Sequence, residues 1–162
     1  MKIFKSILVV VVALALAGFT SHGTKEETSL KCLVQLINYQ GEGAYMVVSL
    51  INPDGKYEKT LYVLGEDEEW YHDLTQWFAF FETGKEKIDA ISGATIAGGE
   101  RTVCVLGFDK TKLDAGYKLR FETAVENQKY YTEDVQIDLT SANLTGKFEG
   151  SGYIRYIRLI PN

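Results

Sequence analysis

Residues 44–64 read AYMVVSLINPDGKYEKTLYVL, and this stretch decides the fold class. Ala44 to Ile51 is an apolar run rich in β-branched residues. Asn52-Pro53-Asp54-Gly55 follows as a turn, with proline presetting φ and Gly55 accepting a positive φ. Tyr57 to Leu64 then alternates as a returning strand, so the whole segment predicts a β-hairpin.

Outward from this hairpin, Leu30–Asn38 precedes it as a strand. Arg101–Phe108, Gly116–Glu126, Tyr130–Leu139 and Gly152–Ile160 follow as four more. The last has no purely apolar face, so its pattern leaves its facing open. Seven short strands separated by Gly, Asp and Asn turns point to an all-β domain, an immunoglobulin-like β-sandwich in architecture. The antibody Cys…Trp…Cys signature is absent. One segment breaks the pattern: EEWYHDLTQWFAFFE, residues 68–82, places Trp70, Leu74, Trp77, Phe78 and Phe81 at helical spacing. A short amphipathic helix inserted between strands is expected there.

The N-terminus carries Lys2 and Lys5, then an apolar run from Ile7 to Ala17. That run is short of the roughly 20 residues a membrane span needs. Ala15 and Ala17 satisfy a small-residue cleavage site, so residues 1–17 read as a secretory signal peptide. Residues 18–29 read as a flexible polar leader, and 30–162 as one domain. The expected address is periplasmic or secreted. Removing the two lysines takes the formal charge from −5 to −7, with 15 basic against 22 acidic residues. This balance excludes nucleic acid, which demands a basic face. Cys32 and Cys104 have neither CxxC spacing nor a histidine beside them, so a metal or catalytic role is not expected. An oxidising compartment allows them to pair, and a buried free pair is the other reading.

Residues 88–99, IDAISGATIAGG, are small, hydroxyl-bearing and glycine-rich, unlike a core strand. Gly93 and Ala94 let a ligand approach the backbone. Ser92 and Thr95 offer hydroxyls, and Asp89 offers a carboxylate. By composition alone the segment is either an anion-binding loop or a decorated turn entering the next strand.

Asp89-x-x-Ser92-Gly93-Ala94-Thr95 resembles the D-x-x-[ST]-G-A-[ST] acceptor motif of proteins carrying covalent FMN. The chain from about Tyr45 to Leu159 resembles the DUF2271 family of predicted periplasmic proteins. That resemblance runs through the Pro53-Asp54-Gly55-Lys56 hairpin, the Leu74…Trp77 pair, the Asp89–Thr95 loop and the Asp109…Asp114-Ala115-Gly116-Tyr117 turn. It implies FMN joined through a phosphoester to Thr95 by an exported flavin transferase that depends on Asp89. Ser92, Gly93 and Ala94 are the small positions that let the loop enter that enzyme. It also implies electron exchange with a membrane-bound redox partner, with PepSY-type modules as the candidates. The basic and proline residues that often follow the loop are Ile96-Ala97-Gly98 here. A threonine hydroxyl is a weak nucleophile without activation, so the chain is not expected to flavinylate itself.

Trp70, Tyr71 and Trp77 are candidates to pack on the flavin ring or in the core, with core or hinge packing the reading for Trp77. His72 is a candidate hydrogen-bond partner or a surface residue. No residue is expected to be catalytic, and no metal site is expected. The competing expectation is a non-catalytic immunoglobulin-like binding or accessory module of the cell envelope. A hydrolase fits worst, lacking a Ser-His pair or a second catalytic acid. The acids 66–69 read as a solvated helix start.

Overall fold

The structure is a computed structural model describing residues 26–84, 88 and 91–162. The expected signal peptide, most of the leader and Asp89 lie outside the described residues. Nine strands form two sheets. These are β1 (Glu27–Leu36), β2 (Tyr45–Ile51), β3 (Tyr57–Leu64), β4 (Ser92–Gly93), β5 (Arg101–Asp109), β6 (Lys118–Ala124), β7 (Tyr131–Asp138), β8 (Lys147–Glu149) and β9 (Ile154–Pro161). One sheet has the order β5-β1-β9-β8 and the other β4-β3-β2-β6-β7. Every pairing is antiparallel except β3 with β4. The all-β expectation is met as a two-sheet, sandwich-like fold, with nine strands instead of seven. The two added strands, of two and three residues, are too short to leave a periodic signal. Strand β1 begins at Glu27, ahead of the expected start at Leu30.

The sheets enclose a core in which alternate residues of facing strands meet. Cys32, Val34 and Leu36 of β1 join Cys104, Leu106 and Phe108 of β5. Met46, Val48 and Leu50 of β2 join Leu119 and Phe121 of β6 from the opposite side. Burying such side chains stabilises the fold by about 1.5–3 kcal/mol each. A second cluster covers the outer face of the five-stranded sheet, where Val47, Val63 and Ala124 pack beneath Tyr71, Leu74 and Trp77. Strand β2 is therefore covered on both faces, which explains its unbroken apolar run.

The expected helix over 68–82 divides in two. Glu68–Asp73 form a 3₁₀ helix, and Thr75–Gly84 form an α-helix, α1. Between them Leu74 leaves helical geometry at φ −88° and ψ 58°. The Asp67 side chain accepts from the Glu69 N–H and caps the first piece. The break lets Tyr71, Leu74 and Trp77 all reach the sheet. Trp77 is fully buried, donates from its indole to Thr60 Oγ1 at 3.0 Å and stacks on Phe81. Among the described residues, no helix is long and apolar enough to cross a membrane.

Candidate functional site

The loop around Thr95 is held at both ends by backbone bonds. Upstream, Ser92 and Gly93 pair in parallel with Val63 and Leu64 at the edge of β3. The Gly65 N–H donates to the Gly93 carbonyl at 2.5 Å. Downstream, the Ala44 N–H donates to the Ile96 carbonyl at 2.9 Å, which also accepts from the Tyr39 hydroxyl at 3.3 Å. Beyond it the Gly99 N–H donates to Ile37 O, and the buried Gln35 amide donates to the Gly99 and Glu100 carbonyls. Between these ties lie Ala94, exposed, and Thr95, half-buried.

Thr95 lines a small open cleft with Glu42, Gly43, Tyr45, Trp70 and Glu126, about 130 Å³ in volume. Its side chain lies against Gly43 so closely that a Cβ there would stand 2.5 Å from Thr95 Oγ1. The structure thus brings together Thr95 and Trp70, from the loop and from the 3₁₀ helix. Tyr71 is buried beneath, donating its hydroxyl to Gly65 O at 2.9 Å and packing edge-on to Tyr45 and Trp77. It does not line the cleft. His72 is exposed, with its ring centroid 6.3 Å from that of Trp70. Its Nδ1–H donates to Glu69 O at 2.7 Å, and its Nε2 lies 3.3 Å from Asp73 Oδ1. It does not line the cleft.

Gly93 has a reason internal to the chain. A Cβ there would stand 2.5 Å from the Tyr62 hydroxyl, so the fold itself demands glycine. Gly65 is required more strongly, with φ at +128° and the Tyr45 ring where its Cβ would stand. These two glycines let the β3 end, the loop and the Tyr45 wall of the cleft close on one another.

The cleft is electronegative. Burial pushes the Tyr45 phenol above its ordinary value, and the carboxylates of Asp67, Asp73 and Glu126 push it further. Among the described residues, no lysine or arginine lines the cleft. The described lining therefore offers a phosphate no cation, and its volume is well below the few hundred Å³ that enclose a cofactor. The described lining would take a flavin ring only at the surface, beside Trp70.

Two buried acids were missed by sequence reasoning. Glu122 is fully buried under α1 and accepts hydrogen bonds from Tyr57, at 2.6 Å, and from Tyr130. Burial pushes its carboxyl above the usual range, opposed by those two hydroxyls and the Arg120 charge. Asp134 accepts from Thr123 Oγ1 and from the N–H groups of Ser151, Gly152 and Ile154. Glu122 follows Phe121 and Asp134 precedes Val135 with no local mark of burial, and only tertiary packing hides them. Each is fully partnered and away from the cleft, which marks it as structural. Among the described residues, no group of three or more His, Cys, Asp or Glu could hold a metal. Cys32 and Cys104 stand directly opposite each other on β1 and β5 as buried free thiols. The Cys104 contact and burial push the Cys32 thiol far up, which leaves it unreactive.

Fold and site together define a two-sheet β-domain with a helical insertion, bearing a pinned loop beside an acidic cleft. The chain belongs to the DUF2271 family, described as predicted periplasmic protein, whose profile matches residues 27–156. That membership agrees with an extracytoplasmic location. No curated protein and no solved structure matches the chain.

Proposed function

We propose that this chain is an extracytoplasmic flavoprotein component, carrying FMN through a phosphoester to Thr95 and passing electrons. The observation that carries this reading is the placement of Thr95. Its motif segment is pinned on both sides, and its side chain lies in an open cleft shared with Trp70. Attachment is a group transfer by an exported flavin transferase. Thr95 Oγ1 bonds the FMN phosphorus of FAD, the pyrophosphate bond breaks, AMP leaves and the hydroxyl proton passes to a base. Once bound, the isoalloxazine supplies one- and two-electron transfer.

The chain's own part is placement. Gly43 leaves room for the Thr95 side chain, Trp70 offers a ring face, and Glu42 and Glu126 set a negative field. A membrane-bound redox partner, of PepSY type, is the proposed source or sink of electrons. An immunoglobulin-like description extends no further than two sheets packed face to face.

Co-expression with an exported flavin transferase tests the reading by intact mass and absorbance near the flavin band. The expected result is a covalent FMN increment that is lost in Thr95→Val. No increment on the native chain, or an increment that survives Thr95→Val, refutes it. A second reading is a non-catalytic binding or accessory module of the cell envelope. Family membership and a sandwich-like fold ask for nothing more, and the small volume of the cleft favours it.

A further inference from the structure

Strand β5 is a nine-residue edge strand that, among the described residues, pairs only with β1. Natural proteins protect such an edge with a proline, a bulge, a short length or a charge at its middle. Here the register against β1 runs without a shift from Gln35↔Arg101 to Glu27↔Asp109, and the strand holds no proline. The middle of its outward face is apolar, with Val103 and Val105 more than half exposed at 55% and 53%. A cleft of about 370 Å³ lies beside this edge, with Val105 and Gly107 on one wall and Lys59, Thr60, Leu61, Ile88 and Ile91 on the other, and among the described residues no strand of the other sheet pairs with β5.

The backbone polarity of the edge can be read from its ends. The Glu100 carbonyl accepts from the Leu36 N–H, and the Lys110 N–H donates to the Glu26 carbonyl. Even-numbered residues therefore turn their polar groups toward β1. Arg101, Val103, Val105, Gly107 and Asp109 turn theirs toward the open edge.

We propose that β5 pairs antiparallel with β5 of a second copy of this chain about a twofold axis at Val105, joining two four-stranded sheets. The strand is complementary to itself in this register. Val105 faces Val105, Val103 faces Gly107, and Arg101 faces Asp109 at each end, so opposite charges meet. Every pair is of the hydrogen-bonded kind and exchanges both N–H···O bonds. Among the described residues a Cβ at Gly107 would meet nothing within 4 Å, so nothing described crowds the sheet face where Val103 of the second copy would stand.

The test is sedimentation velocity between about 1 and 200 µM, where a standard-size interface of modest affinity exchanges between one-chain and two-chain mass. The native protein is expected to dimerise in that range. Val105→Glu places like charges face to face across the axis and weakens association by about 100-fold. In its own chain the same glutamate stands opposite Lys31, so the monomer keeps its fold, checked by circular dichroism and melting temperature. Arg101→Glu, an exposed change at the strand end, weakens association by about 10-fold. A native protein that stays monomeric throughout overturns the proposal and leaves the edge to a different protein's strand. A dimer indifferent to Val105→Glu overturns it equally.

Discussion

Replacing Asp134 with alanine removes the acceptor that ties β7 to the turn entering β9. Its Oδ1 accepts from Ser151 N at 2.9 Å and Gly152 N at 2.7 Å, and its Oδ2 from Thr123 Oγ1 at 2.6 Å and Ile154 N at 2.9 Å. Ser151 is exposed and Gly152 half-buried, so water replaces the first two bonds. Thr123 and Ile154 are buried and their donors are stranded, at about 1–3 kcal/mol each. With the partial loss at the outer pair, Asp134→Ala is expected to cost about 4 kcal/mol. At about 4 °C per kcal/mol for a domain of this size, the melting temperature falls by about 15 °C.

Asp134→Asn separates the two pairs. The amide turns its nitrogen toward the solvent-reached Ser151 and Gly152 and keeps its oxygen for Thr123 and Ile154. It is expected to cost about half as much, about 2 kcal/mol. Urea titration with linear extrapolation reads both variants. A loss below about 1 kcal/mol for alanine, or equal losses for alanine and asparagine, refutes the assignment of stranded and solvated donors.

Glu122→Gln tests the other buried acid by pH. Its folded-state pKa is raised, so the folded state holds the proton more tightly than the unfolded chain. The associated stability is full below the unfolded value and is lost as pH rises through the folded one. Relative to Glu122→Gln, the native protein should therefore lose stability as pH rises past the ordinary glutamate range, read by denaturant midpoints across pH; a pH-independent difference contradicts this. The Ser49 hydroxyl is buried and has no hydrogen-bond partner among the described residues. Ser49→Ala should raise stability by about 0.5–1.5 kcal/mol in the same titration. Gly43→Ala would place a Cβ 2.5 Å from Thr95 Oγ1 and 2.7 Å from Thr95 Cβ, so it should lower both covalent FMN incorporation, read by mass spectrometry, and the melting temperature. Trp70→Ala should leave incorporation intact and brighten flavin fluorescence, because the ring that would quench it is gone.

The hairpin at 44–64 was legible because both periodicity and turn chemistry spoke for it, and β3 matches its expected bounds, Tyr57–Leu64. Strand β9 was legible as a strand but not in its facing. Leu36 pairs with Ile154 and Gln35 with Tyr156, leaving Arg155 as an extra residue. That bulge turns both Ile154 and Ile157 inward, which no strict alternation allows. The helical spacing over 68–82 was real, but a single helix would not have freed Tyr71 for the sheet. In the site, Thr95 stood out through its motif, whereas Gly43 and Glu126 come from distant segments and carry no local mark. The meaning of Gly93 was half visible: its smallness was plain, but the Tyr62 hydroxyl that demands it is a tertiary fact.

The backbone ties on either side of Thr95 also impose an order of events. The Gly93 and Ile96 carbonyls are committed to Gly65 and Ala44 once the domain has folded. Any protein that must take this segment extended reaches it before those bonds close, or waits for them to open locally. Folding is thus a clock for the loop, and a slow-folding or destabilised chain leaves the window open longer.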